Sequence, residues 1–168
     1  GRAQAAMTIR DVLAGETYRY RSSQIDVGLR ATFTDVQSFF YNSTTARRFV
    51  WSPKDPLWSE EAPHLHQSRV EFVAEGIRSL SMTARFQVDT LGITLDPTKC
   101  TVFHRPVIDS GRFTALPTTF DPGTRELVVT NAGPGEFAFG IRTPAPDAPP
   151  IPLLVWPVGG ERILARAR

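Results

Sequence analysis

The chain has 168 residues and a single cysteine, so it is long enough for one domain with its own core and cannot form an internal disulfide. Its 19 basic residues are balanced by 17 acidic ones and are scattered along the chain, which argues against the basic groove that nucleic-acid binding needs. No apolar run approaches the roughly 20 residues of a membrane-spanning helix. We therefore expect neither a nucleic-acid partner nor a membrane span.

The first element in chain order is predicted to be a short helix within residues 1–15. This segment is rich in helix formers, its apolar residues fall on one stripe, and Gly15 stands where a helix C-cap is expected. Further on, Thr34 and Gln37 have the spacing of a capping box. Residues 31–40 therefore have two open interpretations, a short helix or an extended strand.

The stretch Leu80–Val88 alternates apolar and polar residues without interruption. Successive side chains of a strand point to opposite faces, so this pattern predicts a long strand with one buried face. Residues 43–63 contain three prolines and are predicted to be mostly irregular. Further strands are predicted at 68–74, 79–89, 91–95, 100–104, 112–116, 126–130, 136–142, 151–156 and 161–165.

Many short strands without helical crossovers are typical of an all-β fold. We predict an antiparallel β-sandwich, Ig-like or jelly-roll in type, that forms a single domain over residues 1–168. The run Glu126–Ile141 resembles the late hairpin of immunoglobulin-like domains, in which a Val-Thr-Asn-x-Gly turn joins two core strands. Residues 143–168 hold many of the prolines and are predicted to form a stiff arm that ends in a hairpin.

A pair of histidines is the clearest candidate for a metal site. His64 and His66 share one face of a strand, so both imidazoles could reach one ion. With Glu71 and Gly76 they resemble the first motif of the cupins, β-barrels that hold Fe, Mn, Zn or Ni. This resemblance implies one divalent transition metal held by His64, His66, Glu71 and, as third histidine, His104, although the second cupin motif is absent from the sequence.

The aromatic residues of the predicted loops offer a second kind of site. Trp51 and Trp58 flank a turn-like Pro-Lys-Asp-Pro segment, and Tyr41 follows two phenylalanines. Together with Pro149 and Pro150 of the arm, these side chains are candidates for partner binding. Cys100 is predicted to be a buried structural residue, since a strand places it about 13 Å from His104.

These observations favour a non-enzymatic structural or adhesive subunit that binds neighbouring proteins in a larger assembly, with no cofactor. Its partners would be other proteins or copies of itself, and an extracytoplasmic or virion surface is the favoured location. Two alternatives from other classes remain open. One is a cupin-like metalloenzyme that uses His64 and His66, and the other is a carbohydrate-binding module that uses Trp51, Trp58 and Tyr41.

Overall fold

A computed structural model describes residues 2–143 and builds them mostly from β-strands with almost no helix, which confirms the predicted all-β class. The strands are β1 (Ala5–Arg10), β2 (Thr17–Arg21), β3 (Asp26–Phe49), β4 (Leu57–Trp58), β5 (His64–Gln87), β6 (Thr101–Arg105), β7 (Arg112–Leu116), β8 (Thr119–Asp121), β9 (Glu126–Ala132) and β10 (Gly135–Ile141). One helical turn, α1 (Val88–Leu91), and a 3₁₀ turn at Pro97–Lys99 complete the elements. The predicted strands at 151–156 and 161–165 and nearly all of the arm lie outside the described residues.

Two strands of 24 residues each, β3 and β5, form the spine of a ten-stranded sheet and pair antiparallel along most of their length. On the other side of β5, β9 pairs with its last part and β10 with its first part. The sheet is thereby divided into two halves that share the same long strands. The first half adds β2 and β8, and the second half adds β1, β6, β7 and β4; the β4–β7 pair is parallel.

The core lies between these two halves, because their aromatic side chains contact one another. The Phe72 ring of the second half lies 5.6 Å from Tyr20 and 6.2 Å from Phe33, both of the first half. Phe86 of the first half lies 5.2 Å from Phe137 of β10. All five side chains are buried. The alternation predicted around Phe86 is confirmed, since every second residue from Met82 onward is buried.

The predicted N-terminal helix is wrong, because residues 5–10 form β1. They pair antiparallel with residues 43–48 of β3, and this pairing supplies the backbone hydrogen bonds that a helix would otherwise make internally. Ala5, Met7 and Ile9 contact the core, at the spacing of two that a strand requires. Tertiary pairing here overrides a helix propensity that is weak in any short segment.

Other boundaries also differ from the prediction. Of the two interpretations of residues 31–40 the strand is confirmed, and the strand predicted at 91–95 is replaced by α1 and a loop. Gly92, at φ 66°, ends α1 in the left-handed conformation. Part of the region 43–63, predicted to be irregular, belongs to the last part of β3. The two strands predicted at 68–74 and 79–89 belong to one continuous strand, β5, which ends at Gln87, so that Val88 and Asp89 lie in α1 instead.

The immunoglobulin-like hairpin suggested by residues 126–141 is wrong as well. β9 and β10 are consecutive, but each pairs with β5 rather than with the other. The connection at Gly133 and Pro134 carries the chain from the first half to the second, so both strands run along the same side of β5. Pro134 has no N–H to give to a ladder, and this suits a break between two pairings.

Candidate functional site

β3 extrudes a short loop at the point where the chain passes from one half of the sheet to the other. Ser38 and Ser43 pair with residues on either side of Gly76 in β5, so residues 39–42 face a single partner position. The extra residues of β3 have no partners in the ladder, so they bulge outward from the sheet. We call Phe39–Tyr41, the outer part of this bulge, the aromatic loop.

The aromatic loop is largely in solvent. Phe40 is 91% exposed, Tyr41 87% and Phe39 58%, and the Arg78 guanidinium carbon lies 4.9 Å from the centre of the Phe39 ring. Leu13, 62% exposed, lies near Phe40 on the rim of a shared surface hollow. Single exposed apolar residues are ordinary, whereas a contiguous group of large ones marks an interaction surface.

The base of the aromatic loop is fixed by its neighbours. The buried Asn42 side chain accepts a hydrogen bond from Val12 N–H at 2.8 Å and donates to Val12 C=O at 3.1 Å and to Ser38 Oγ at 2.7 Å. Gly76, at φ 71°, lies so close that a Cβ there would overlap the carbonyl oxygen of Tyr41. The loop is therefore held in place before any partner arrives, which lowers the ordering cost of binding.

A second feature is a group of charged residues on three neighbouring strands of the second half. Register places Glu71 of β5 beside Glu136 of β10, and Glu136 beside Arg105 of β6. Arg69 lies on the same strand as Glu71, and Asp109 on the turn after β6 donates its N–H to Glu136 Oε1 at 3.0 Å. We call these five residues the charged cluster.

Ion pairs inside the charged cluster are buried. Arg105 Nη2 lies 2.8 Å from Glu136 Oε1, and both side chains are 0% exposed. Arg69 Nε lies 2.9 Å from Glu136 Oε2, yet neither atom makes a hydrogen bond, because the N–H is not directed at that oxygen. Arg69 Nη2 donates to Glu71 Oε2 at 3.3 Å. Burying these charges costs desolvation that their mutual attraction offsets only in part.

Burial also changes the protonation of Glu71. It raises the pKa of that carboxyl, and the neighbouring Glu136 and Asp109 carboxylates raise it further, while Arg69 lowers it. Glu71 therefore holds its proton to a higher pH than a solvated glutamate. Oxygens of Glu71, Asp109 and Glu136 lie within 4.8 Å of one another, and this is the one such group of three potential metal ligands in residues 2–143.

A cavity of about 350 Å³ opens above the charged cluster. Trp51, 58% exposed, lines it together with Phe49 and Lys54, and Arg69, Glu71 and Asp109 supply its charged lining. The Arg69 guanidinium donates to Trp51 C=O at 2.9 Å and lies 4.0 Å from the centre of the Phe49 ring. We call this space the Trp51 cavity.

The four predicted metal ligands are not gathered into one site. His64 is exposed on β5, and His66 is half-buried, with Nδ1 accepting from Ser68 N–H at 3.1 Å. His104 Nε2 lies 3.0 Å from Pro134 O. Burial lowers the pKa of both His66 and His104. Of the predicted set only Glu71 belongs to the group of close ligand atoms, and in that group two arginines already accompany the carboxylates.

The predicted partner-binding residues have different environments. Tyr41 and Trp51 are exposed, whereas Trp58 stacks on Phe113 at 5.0 Å and packs edge-on against Phe103 in a small second core. Pro149 and Pro150 lie outside the described residues. Cys100 is buried as predicted, and burial raises the pKa of its thiol to about 11, so the nucleophilic thiolate is scarce at neutral pH.

Of the five residues of the charged cluster, the sequence predicted only Glu71 as a site residue. Arg69, Arg105, Asp109 and Glu136 are ordinary surface residue types. Strand register brings the first, second and fourth together, and the turn after β6 adds Asp109. The available signal was Glu71, which interrupts the apolar run from Val70 to Val73 and so had to be buried with a counter-charge.

No protein-family model matches the chain, and neither a curated protein nor a solved structure is similar to it at a significant level. None of the helices in residues 2–143 has the length and apolar character needed to cross a membrane.

Proposed function

We propose that the chain is a non-enzymatic structural subunit of the kind found in virions or on bacterial surfaces, in which copies associate through the aromatic loop. The observation that carries this proposal is the exposure of Phe40 and Tyr41 on a loop whose base is fixed by Asn42 and Gly76. A folded chain gains no stability of its own from a loop that presents two aromatic side chains to water. A neighbour that covers them gains about 1.5–3 kcal/mol for each ring removed from solvent.

We propose that the partner of the aromatic loop is a second copy of the same chain. It carries an apolar recess of about 380 Å³, with Val107 59% exposed at its surface. The recess is lined by Phe72, Val73, Ala74, Pro106, Val107, Ile108, Pro134 and Gly135. An aromatic projection and an apolar recess on one chain allow copies to bind each other without a second protein species.

For the finer architecture we propose a sandwich produced by a single sheet that folds over on itself. The contacts of Phe72 with Tyr20 and of Phe86 with Phe137 support this arrangement, because each joins the two halves across the core. The fold line then crosses the shared strands β3 and β5, each of which runs through both halves. In this arrangement the aromatic loop lies at the bend, where β3 has room to project away from the sheet.

The test is sedimentation equilibrium of the purified chain from micromolar to submillimolar concentration. We expect reversible association of the wild type. The double variant Phe40→Ser, Tyr41→Ser should weaken it roughly 100-fold or more, since it removes two rings that each contribute about 1.5–3 kcal/mol. Val107→Arg should weaken it from the recess side. Leu57→Ser, which removes an exposed apolar residue from β4, is the matched control and should associate like the wild type.

Two outcomes would contradict this proposal. The wild type could remain monomeric over the whole concentration range, or the double variant could associate as strongly as the wild type. Far-ultraviolet circular dichroism of each variant establishes that a loss of association does not come from unfolding. Because the replaced side chains are exposed, we expect their effect on stability to stay within about 0.5 kcal/mol.

A further inference from the structure

The Trp51 cavity has the size and wall structure of a small-molecule site. Its volume of about 350 Å³ lies near the lower end of the ~300–1,000 Å³ that such sites occupy, so it suits one ring-sized unit rather than a large cofactor. Trp51 provides an exposed aromatic wall beside a polar floor. An indole face packs well against a flat group that is apolar on its faces and polar at its rim.

The polar floor offers both acceptors and donors. The lining includes two acidic residues, Glu71 and Asp109, whose carboxylates are acceptors, and two basic residues, Arg69 and Lys54, whose cationic groups are donors. Arg69 is more than nine-tenths buried, and its two Nη atoms are directed to residues of the lining, Trp51 C=O at 2.9 Å and Glu71 Oε2 at 3.3 Å. A ligand that presents several hydroxyl groups can donate to the carboxylates and accept from the cations at the same time.

Charge balance narrows the ligand class. Three cations accompany three acids: Lys54, Arg69 and Arg105 against Glu71, Asp109 and Glu136. A metal ion would meet guanidinium groups already paired with its carboxylate ligands, and an anion would meet the carboxylates. A neutral ligand avoids both repulsions.

The segment that forms one wall of the cavity is held by hydrogen bonds from two arginines of the charged cluster. Arg105 donates from its buried guanidinium to Lys54 C=O at 2.8 Å and to Asp55 C=O at 3.4 Å, and Arg69 donates to Trp51 C=O. The segment that carries Trp51 and Lys54 is thus tied to the charged cluster at several points. Binding would require little further ordering of this segment, as expected of a preformed site.

We infer that the Trp51 cavity binds a neutral pyranose unit of a carbohydrate, with its ring face on Trp51 and its hydroxyl groups on Glu71, Asp109 and Arg69. This inference goes beyond the proposed self-association and does not depend on it, because the aromatic loop contributes no residue to the cavity. It gives the chain a second binding surface, for a ligand of different chemistry.

The test uses a printed array of neutral and charged oligosaccharides, followed by calorimetric titration of the soluble oligosaccharide with the strongest signal. Trp51→Ala removes the aromatic wall and should weaken binding at least tenfold. Asp109→Asn should weaken it about tenfold, since a hydrogen bond to a charged acceptor becomes one to a neutral acceptor. Asparagine tolerates the positive φ of 63° at this position, so the variant is expected to fold.

Ile25→Ser is the control, because it removes an exposed apolar residue that belongs neither to the cavity lining nor to the aromatic loop; it should bind the sugar like the wild type. Inorganic phosphate and calcium ions are titrated as charged competitors. Absence of array binding by the wild type would overturn the inference, and so would undiminished binding by Trp51→Ala. Binding of phosphate or calcium with no sugar bound would overturn it too. Sedimentation of the same samples reports separately on the proposed self-association.

Discussion

The Glu71 carboxyl lies among the other charged groups of the charged cluster. Burial raises the pKa of its carboxyl, and the flanking carboxylates act in the same direction, while the Arg69 guanidinium opposes them. The pKa of Glu71 therefore depends on its burial and on the charges of these neighbours. Because the same residue lines the Trp51 cavity, its charge also bears on what that cavity can hold.

The raised pKa of Glu71 predicts a specific pH dependence of stability. Between the pKa of the unfolded glutamate and the higher pKa of the folded one, the folded chain keeps a proton that the unfolded chain has lost. The free energy of unfolding contributed by Glu71 is therefore complete at acidic pH and falls as the pH rises through this window. In Glu71→Gln this contribution is absent, so the stability of the wild type relative to the variant should decline from acidic to neutral pH.

Urea denaturation at a series of pH values measures this difference. Glu75→Gln, which removes an exposed carboxylate from the same strand, serves as the matched control. A constant difference between wild type and Glu71→Gln across the series would contradict the assignment of the pH effect to Glu71.

The bounds of several short strands could be predicted from the sequence. The strand 112–116 was predicted with its observed bounds, and 126–130 and 136–142 fall within two residues of β9 and β10 at each end. These are short strands, punctuated by turn residues. The prediction for the N-terminal segment is wrong because the alternation at Ala5 and Met7 is a weaker signal than the helix propensity of the segment. The strand β3, with which the segment pairs, lies some 40 residues further along the chain.

Gly76 determines whether the bulge in β3 can form. Its φ of 71° and its close approach to Tyr41 C=O mean that Gly76→Ala carries both a left-handed backbone penalty and a steric overlap. We expect a loss of roughly 2–4 kcal/mol in the free energy of unfolding. Gly15 is the matched control: it has φ 85° with open space around it, so Gly15→Ala should cost only about 1–2 kcal/mol.

Chemical denaturation of both alanine variants separates the two contributions. Equal losses at Gly76 and Gly15 would mean that the contact with Tyr41 does not constrain the aromatic loop. A loss at Gly76 that also abolishes self-association would connect the bulge with the proposed assembly surface.

At the scale of the whole molecule, the all-β class followed from the sequence but the path of the sheet did not. β3 and β5 each read as several short strands, because bulges shift the phase of alternation along them. The charged cluster was invisible for a related reason: Glu71, Arg105 and Glu136 are separated by tens of residues and meet only when three strands take their register. Exposed aromatics such as Tyr41 could be recognised, since they stand out locally.

Because both halves share β3 and β5, we expect them to unfold together. Phe72→Ala removes the ring that contacts Tyr20 and Phe33 across the core and should cost about 3–5 kcal/mol. Tryptophan fluorescence is measured in a Trp156→Phe background, so that it reports on Trp51 and Trp58 in and beside the second half. It should give the same transition midpoint as circular dichroism. Phe39→Ala, at an exposed site, is the matched control and should change stability little. Separate midpoints for the two probes would show that the halves are independent units.

The antiparallel pairing of β3 with β5 also has a mechanical consequence. The aromatic loop projects from the middle of β3, so a pull on a neighbour bound there reaches the strand between its two paired segments. Force along the strand direction would be shared by many hydrogen bonds in shear, on both sides of the loop, instead of opening them one at a time from an end. A chain built in this way would resist being unfolded by a pull on its aromatic loop.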